Sequence, residues 1–143
     1  MLEVRSEMLE VRKLTITWKE ALEMIKSYRD LRVYQISYEL GKRIHQLTLT
    51  FPKYEQYELG SQLRRAAISI PLNIAEGYGK KESSADFKRF LLISMGSCNE
   101  VSVLLDYCQD FGYISREAHE ELSKEYDELG KQINVMHKKW VKQ

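Results

Sequence analysis

Four stretches of this 143-residue chain repeat apolar residues at spacings of three and four, which places those residues on one face of a helix. The stretches cover residues 33–47, 59–74, 87–108 and 118–140. Only 7 Gly and 2 Pro interrupt the sequence, too few for the many tight turns of an all-β sandwich. Short links join the four stretches, and short links favour antiparallel neighbours. The sequence therefore predicts an all-α, antiparallel up-down-up-down four-helix bundle.

Proline, serine and glycine residues mark the expected ends of these helices. The first helix should stop before Pro52, because the residue that precedes a proline is pushed out of the α region. Ser83 and Ser115 are suitable N-caps for the third and fourth helices, and Gly112 is a suitable stop for the third. Pro71 lies inside the second helix and removes one backbone hydrogen bond, so we expect a kink there.

The first 25 residues stand apart from this pattern. We predict an N-terminal extension over 1–25, helical or frayed, and a four-helix-bundle domain over 26–143, with residues 15–25 as a candidate for a fifth, shorter helix. The motif Met-Leu-Glu-Val-Arg occurs at residues 1–5 and again at 8–12, but two copies fall short of a coiled-coil signal. One hypothesis is that the repeat is translated upstream DNA and that Met24 is the natural start.

Compartment can be inferred from the N-terminus and the two cysteines. The start carries Glu3, Glu7 and Glu10 and lacks the apolar region of a signal peptide, and no uncharged run approaches the length of a membrane span. Cys98 and Cys108 lie ten residues apart on one predicted helix, about 15 Å along its axis, which is too far for a disulfide. We expect two small buried thiols in a cytoplasmic protein.

Motifs for catalysis and metal binding are missing from the sequence. His45, His119 and His137 stand apart from one another, with no HExxH or ExxH motif and no His/Cys pair at ligand spacing. No phosphate-binding glycine loop and no nucleophile elbow occurs either. We therefore expect no enzyme activity, no metal, no cofactor and no small-molecule substrate.

Charge is divided unevenly along the chain, although the formal net charge is only +1. Residues 26–90 hold 12 basic and 7 acidic residues, residues 91–130 hold 2 and 9, and residues 131–143 hold 4 and none. This polarity fits either complementary packing of neighbouring helices or a nucleic-acid footprint. The candidates for nucleic-acid contact are Arg29, Arg32, Lys42, Arg43, Arg64, Lys80, Lys81, Lys88 and Arg89. Tyr78 lies beside the last of these clusters and is a candidate for stacking on a base.

The third helix carries apolar residues on two faces, and Glu100 is the only charged residue between Phe90 and Leu105. One bundle core cannot bury both faces, and large exposed apolar patches usually mark interfaces. A closed homo-oligomer is the commonest way to cover such a patch. The predicted interface residues are Ile68, Leu72, Ile93, Gly96 and Val103.

A group of polar residues is expected close to the same surface. We predict a structural network there, formed by Arg65, Asn73, Glu76, Ser97 and Glu100. On a helical wheel Arg65 points closer than Arg64 to the second apolar face, so we expect Arg65 to pair with Glu100 at or near a subunit contact. Arg64 is then left for solvent or RNA. Such a pair is more often structural than catalytic when no nucleophile accompanies it.

Several motifs together resemble a known protein family. They are Ser27-Tyr28-Arg29-Asp30-Leu31-Arg32-Val33-Tyr34, Phe51-Pro52, Gln62-Leu63-Arg64-Arg65-Ala66-Ala67-Ile68-Ser69-Ile70-Pro71, Asn73-Ile74-Ala75-Glu76-Gly77, Phe90-Leu91, Gly96-Ser97 and Glu100. In this order they resemble the four-helix-bundle proteins encoded within intervening sequences of bacterial large-subunit ribosomal RNA genes. The resemblance covers nearly all of residues 27–140.

The resemblance implies an antiparallel bundle that assembles as a ring, with a homopentamer as the expected form, and it implies no catalytic activity. A bundle of similar fold, the accessory variability determinant of diversity-generating retroelements, works with a reverse transcriptase by binding nucleic acid. This kinship suggests a non-enzymatic, homo-oligomeric protein associated with RNA. The alternative is a protein-binding scaffold or an accessory subunit, for example of a reverse transcriptase or another polymerase, without direct nucleic-acid contact.

Overall fold

The computed structural model describes residues 17–140, together with two short strands before them. Strands β1 (Glu3–Val4) and β2 (Leu14–Thr15) pair antiparallel, with Glu3 opposite Thr15 and Val4 opposite Leu14. Apart from Glu3 and Val4, the repeated motif of residues 1–12 lies outside the described residues. The regular structure of residues 17–140 is all-helical, which confirms the predicted fold class at that level.

Six α-helices and one 3₁₀ turn make up residues 17–140. They are α1 (Trp18–Glu23), the turn (Tyr28–Asp30), α2 (Arg32–Thr48), α3 (Lys53–Tyr57), α4 (Leu59–Gly79), α5 (Ser84–Asp110) and α6 (Arg116–Lys139). The four long helices lie where the apolar periodicity predicts them, and α1 confirms a short helix near the N-terminus. The five-residue α3 has no counterpart in the prediction. Helix α4 continues through Pro71, and a kink at that proline stays a prediction.

Serine side chains cap the two helices for which they were predicted. The Ser83 hydroxyl accepts a hydrogen bond from the backbone N–H of Asp86 at 3.2 Å. The Ser115 hydroxyl accepts one from the backbone N–H of Ala118 at 3.1 Å. Each cap satisfies a backbone donor that has no partner within its own helix, which places the start of α5 and of α6 at a defined residue.

The predicted glycine stop after α5 is confirmed in detail. Gly112 has a φ of +80°, a left-handed conformation that costs glycine little because it has no Cβ. Its N–H donates to the Gln109 carbonyl at 2.9 Å, and the Tyr113 N–H donates to the Cys108 carbonyl at 2.8 Å. These two bonds form a Schellman motif, which ends the helix and turns the chain towards α6.

The long helices pack as sequence neighbours: α2 contacts α4, α4 contacts α5, and α5 contacts α6. The contacts between α4 and α5 show that these two helices run in opposite chain directions. The hydroxyl groups of Ser69 in α4 and Ser97 in α5 are hydrogen-bonded at 2.6 Å. One residue later in α4, the Ile70 carbonyl accepts a hydrogen bond at 3.1 Å from the hydroxyl of Ser94, which lies three residues before Ser97 in α5. Helices α2 and α6 also contact each other, and this contact closes the set of four.

Gly77 allows the last turns of α4 to lie close to the first turns of α5. A Cβ atom built at Gly77 would lie 2.6 Å from the Cβ of Phe90 and 3.0 Å from a ring carbon of Phe87. Both distances are shorter than ordinary van der Waals contacts, so only glycine fits this approach without a shift of the helices.

Helix α1 contributes to the core. Ala21 is 0% exposed and Leu22 is 2% exposed, and both belong to the same buried cluster as Trp140 at the end of α6. The capping box of α1, in which Thr17 and Glu20 bond each other's backbone N–H groups, holds its first turn. Side chains on both sides of residue 25 thus belong to one buried cluster, and the predicted domain boundary between residues 25 and 26 stays a prediction.

Both cysteines are buried thiols without a disulfide partner, as predicted. Burial raises the pKa of Cys98 to about 12, and burial together with the negative charge of Glu55 raises the pKa of Cys108 to about 11. Both groups stay protonated near neutral pH, and a thiol is a poor nucleophile in that form. Among the described helices, none combines the length and the apolar character needed to cross a membrane.

Candidate nucleic-acid interface

One end of the helix assembly gathers basic side chains from three segments. The α4–α5 turn lies close to the C-terminal end of α6. The centre of the Trp140 ring is 4.5 Å from the centre of the Phe87 ring and 6.4 Å from the centre of the Tyr78 ring. We call the cations around this contact the basic end: Lys80, Lys81, Lys88, Arg89, Lys138 and Lys139. The first four are candidates from the sequence, and the fold adds the two lysines of α6.

Aromatic rings support several of these cations. The Lys81 ammonium donates to the Tyr78 hydroxyl at 2.9 Å and lies 4.0 Å from the centre of its ring. The Arg89 guanidinium lies 4.5 Å from the centre of the Phe90 ring. Tyr78 itself is only 7% exposed, so its predicted stacking on a base is wrong. Its ring instead positions a cation that faces solvent.

The pKa of His137 is affected by the positive charges around it. Burial lowers its pKa, and the nearby Lys88 and Lys138 lower it further. Like charges disfavour the protonated imidazole, and these two lysines act on it from different helices, Lys88 from α5 and Lys138 from α6. An anionic ligand at this end would relieve their mutual repulsion.

The ion pairs found among residues 17–140 lie away from the basic end. They join Lys42 to Glu39, Arg43 to Glu121 and Glu125, Arg116 to Glu120, His119 to Asp106, and Lys131 to Asp127. Glu82 and Asp86 lie near the α4–α5 turn, yet within residues 17–140 no carboxylate is within ion-pair distance of the six cations of the basic end. Within residues 17–140, no ion pair compensates these six charges.

The other predicted basic candidates have different surroundings. Arg43 forms ion pairs with two carboxylates of α6, so its charge is compensated within the chain. Lys42 pairs with Glu39 at 3.0 Å in an exposed contact. Arg29 lies 4.7 Å from the centre of the Tyr28 ring, and Arg32 begins α2. Sequence patterns could not distinguish the compensated cation from the available ones, because its partners lie on a distant helix.

Arg64 has a structural role that the helical wheel does not reveal. Its guanidinium donates to the Thr48 hydroxyl at 2.8 Å and to the Gln56 carbonyl at 2.8 Å. These bonds tie α4 to the end of α2 and to α3. The expectation that Arg64 is left for solvent or RNA is therefore wrong for this chain, whereas Arg65 is exposed.

We expect Arg64→Ala to lower the free energy of unfolding by about 1–2 kcal/mol, because it removes two charge-assisted hydrogen bonds from a half-buried group. Arg65→Ala should change the stability of the single chain by less than about 0.5 kcal/mol, since Arg65 is exposed. Urea unfolding of both variants tests this order. A larger loss for Arg65→Ala at protein concentrations that exclude assembly would contradict it.

Only two residues of the predicted polar network, Asn73 and Ser97, form side-chain hydrogen bonds among residues 17–140. Ser97 bonds Ser69, and the Asn73 side chain donates to the Ser69 carbonyl at 2.7 Å. Glu76 and Glu100 are exposed, and no ion pair joins Arg65 to Glu100 among residues 17–140. A pairing of Arg65 with Glu100 across a subunit contact stays a prediction.

The second apolar face is exposed in the single chain. Val103 is 53% exposed and Leu72 is 62% exposed, and Ile68 and Ile93 are exposed as well. A Cβ atom built at Gly96 would meet no atom within 4 Å, so the chain itself does not require glycine there. Gly96 and Val103 lie on the outer side of α5, while Ile68 and Leu72 border a groove between α4 and α2.

Comparison with known proteins adds a family and a fold. None of the curated proteins matches the chain. A crystal structure of a protein of unknown function from the S23 ribosomal protein family, from Bacteroides thetaiotaomicron, superimposes with a TM-score of 0.68 at 28% identity and covers 74% of this chain and 95% of its own. No metal-ligand cluster occurs among the described residues, and neither comparison describes an enzyme. Residues 29–135 match the family described as 23S rRNA-intervening sequence protein, and the chain belongs to that family.

Proposed function

We propose that this chain is a non-enzymatic, homo-oligomeric protein of the cytoplasm that associates with RNA through its basic end. The observation that carries the proposal is the convergence of cations from the α4–α5 turn, α5 and α6 without carboxylate partners within residues 17–140. Cations that neutralise phosphates supply most of the affinity of proteins for nucleic acids. The name of the family links its genes to ribosomal RNA, which fits this ligand.

The proposal includes the finer architecture of the fold. We infer that α2, α4, α5 and α6 form an antiparallel up-down-up-down bundle, with a kink of α4 at Pro71. The opposed chain directions of the α4–α5 contacts support the antiparallel arrangement. A proline inside a helix removes one backbone hydrogen bond and crowds the preceding turn, which supports the kink.

Assembly is proposed to use the outer side of α5, with Arg65 and Glu100 as a pair near the contact. The exposed Ile93 and Val103, together with the open space at Gly96, support a close approach by another helix. A ring, with five subunits as the expected number, would repeat the basic end once per subunit. The summed field would then be much stronger than a net charge of +1 suggests.

A scaffold or an accessory subunit of a reverse transcriptase or other polymerase is the second candidate. The exposed apolar side of α5 favours it, because that surface could bind a different protein as readily as a second copy. Salt dependence separates the two functions, since phosphate neutralisation gives a linear fall of log affinity with log salt concentration. Absence of RNA binding at low salt would favour the scaffold.

The direct test neutralises the basic end. In the variant Lys80→Gln, Lys81→Gln, Lys88→Gln and Arg89→Gln, we expect the slope of log affinity against log salt to fall in magnitude by up to about 3 for single-stranded RNA. The control is Lys53→Gln with Lys124→Gln, two exposed lysines outside the basic end. A loss per removed charge that is the same in the two variants, so that the control loses half as much, would show that binding follows net charge and not this surface.

Assembly is tested by Val103→Glu, which places a charge in the proposed contact. We expect the assembly to dissociate into chains of 16.9 kDa, because an unpaired buried charge is strongly unfavourable. Glu128→Gln, on the exposed surface of α6, is the control. Light scattering measures the mass of both variants, and a wild-type protein that is monomeric at micromolar concentration would contradict the proposal.

A further inference from the structure

A groove of about 390 Å³ lies between α2 and α4, and one of its walls is aromatic. The ring centres of Tyr28 and Tyr34 are 4.9 Å apart, and those of Tyr34 and Tyr38 are 5.9 Å apart. Tyr34 and Tyr38 are four residues apart on α2, so they lie on one face of the helix. The three rings form a continuous row, and the Tyr38 ring is half exposed at its end. We call this site the tyrosine groove.

The opposite wall of the tyrosine groove is aliphatic. Ile68 and Leu72 of α4 are both exposed along the rim. Gly41 and Pro71 line the floor between the two helices and place no long side chain in the cleft. A slot with one aromatic and one aliphatic wall suits a flat ring, which can stack on the first and contact the second.

Cations lie along the aromatic row. The Arg29 guanidinium is 4.7 Å from the centre of the Tyr28 ring, and the Lys42 ammonium is 5.7 Å from that of Tyr38. Lys42 also pairs with Glu39, but both side chains are more than half exposed, so the pair is weak and a phosphate could replace the carboxylate. A ligand with flat apolar groups and regularly spaced negative charges matches this arrangement. Nucleotides have both features.

The tyrosine groove extends along α4 to within a few residues of the basic end. Ala75 lines the groove on α4, and the same helix reaches Tyr78 and the α4–α5 turn within one further turn. A strand of RNA that occupies the groove could therefore continue onto the cations of the basic end. The cations beside the aromatic row favour a nucleic acid over an apolar helix of another protein, because an apolar helix has no negative charges to pair with them.

We propose that the tyrosine groove binds unpaired bases of single-stranded RNA, with Tyr38 as the stacking platform and with Lys42 and Arg29 on the adjacent phosphates. This inference rests on the proposed function and specifies which part of the RNA the protein recognises. Bases in a duplex are stacked on their neighbours and cannot enter the slot. The protein should therefore prefer single strands to duplexes of the same length.

The experiment measures the binding of fluorescently labelled single-stranded oligouridine of about 12 nucleotides to the intact protein. Tyr38→Ala should weaken binding roughly 5- to 150-fold, the effect of losing one stacked base, and Tyr38→Phe should restore most of it. Tyr57→Ala is the matched control, because Tyr57 is 73% exposed and lies on α3 outside the groove. Tyr38→Ala should leave the salt slope unchanged, whereas Lys42→Gln should reduce its magnitude by about 0.7.

Each outcome decides the inference. If the wild type binds oligouridine with a steep salt slope and Tyr38→Ala binds equally well, the groove assignment is overturned and the proposed function stands. If the wild type binds no oligouridine at low salt, both are overturned. Equal affinity for a duplex of the same length also overturns the inference. So does a Tyr38→Ala variant that loses subunits in light scattering while each chain binds RNA as before, because the groove would then hold a second copy.

Discussion

Replacing Gly77 with valine is expected to lower the free energy of unfolding by about 3 kcal/mol, because the new side chain would force α4 and α5 apart at the contact of Gly77 with Phe90. A Cβ atom alone would lie 2.6 Å from that of Phe90. Gly77→Ala should cost about 1–2 kcal/mol by the same mechanism. Thermal and urea unfolding of both variants measure the effect.

Gly79→Ala is the matched control for this prediction. Gly79 ends the same helix two residues later, and a Cβ atom there would meet no atom within 4 Å. Its replacement should leave stability unchanged or raise it slightly, since alanine is the better helix former. Equal losses at Gly77 and Gly79 would show that the turn, and not the α4–α5 approach, determines the effect.

A chain that begins at Met24 is expected to be less stable than the full chain by about 3–5 kcal/mol. The truncation removes Leu22, which is almost fully buried, and loss of a buried leucine side chain alone typically costs 2–5 kcal/mol. Leu22→Ala in the full chain should reproduce most of the loss, while Lys19→Ala, at an exposed position, should not. Full stability of the truncated chain would support Met24 as a natural start.

Local sequence signals determined the helix ends that were predicted correctly. Ser83, Ser115 and Gly112 act through backbone atoms within a few residues of themselves, so their effect can be read without knowing the fold. Helix α3 was missed because five residues after Pro52 are too few to show an apolar period. Pro52 itself, accepted only as a stop for the preceding helix, is the N-cap residue of α3.

Side-chain partners across the fold were harder to predict. The wheel angle of Arg64 describes its direction around α4, but one of its acceptors is the Gln56 carbonyl of α3, an element that the prediction lacked. Arg43 looked like a free cation because Glu121 and Glu125 are about 80 residues away in sequence. The basic residues of the α4–α5 turn were found because they are neighbours in sequence. Lys138 and Lys139 were not, because only the fold brings α6 to that turn.

The order of the helix contacts has a consequence for how the chain folds. Each long helix packs against the next long helix in the sequence, and the contact of α2 with α6 is the exception. Contacts between sequence neighbours close short loops and are associated with fast folding, whereas a contact that spans most of the chain carries a larger entropic cost. The seam between α2 and α6 should therefore close last during folding. Because the ion pairs of Arg43 lie on this seam, they should slow its opening more than they speed its formation.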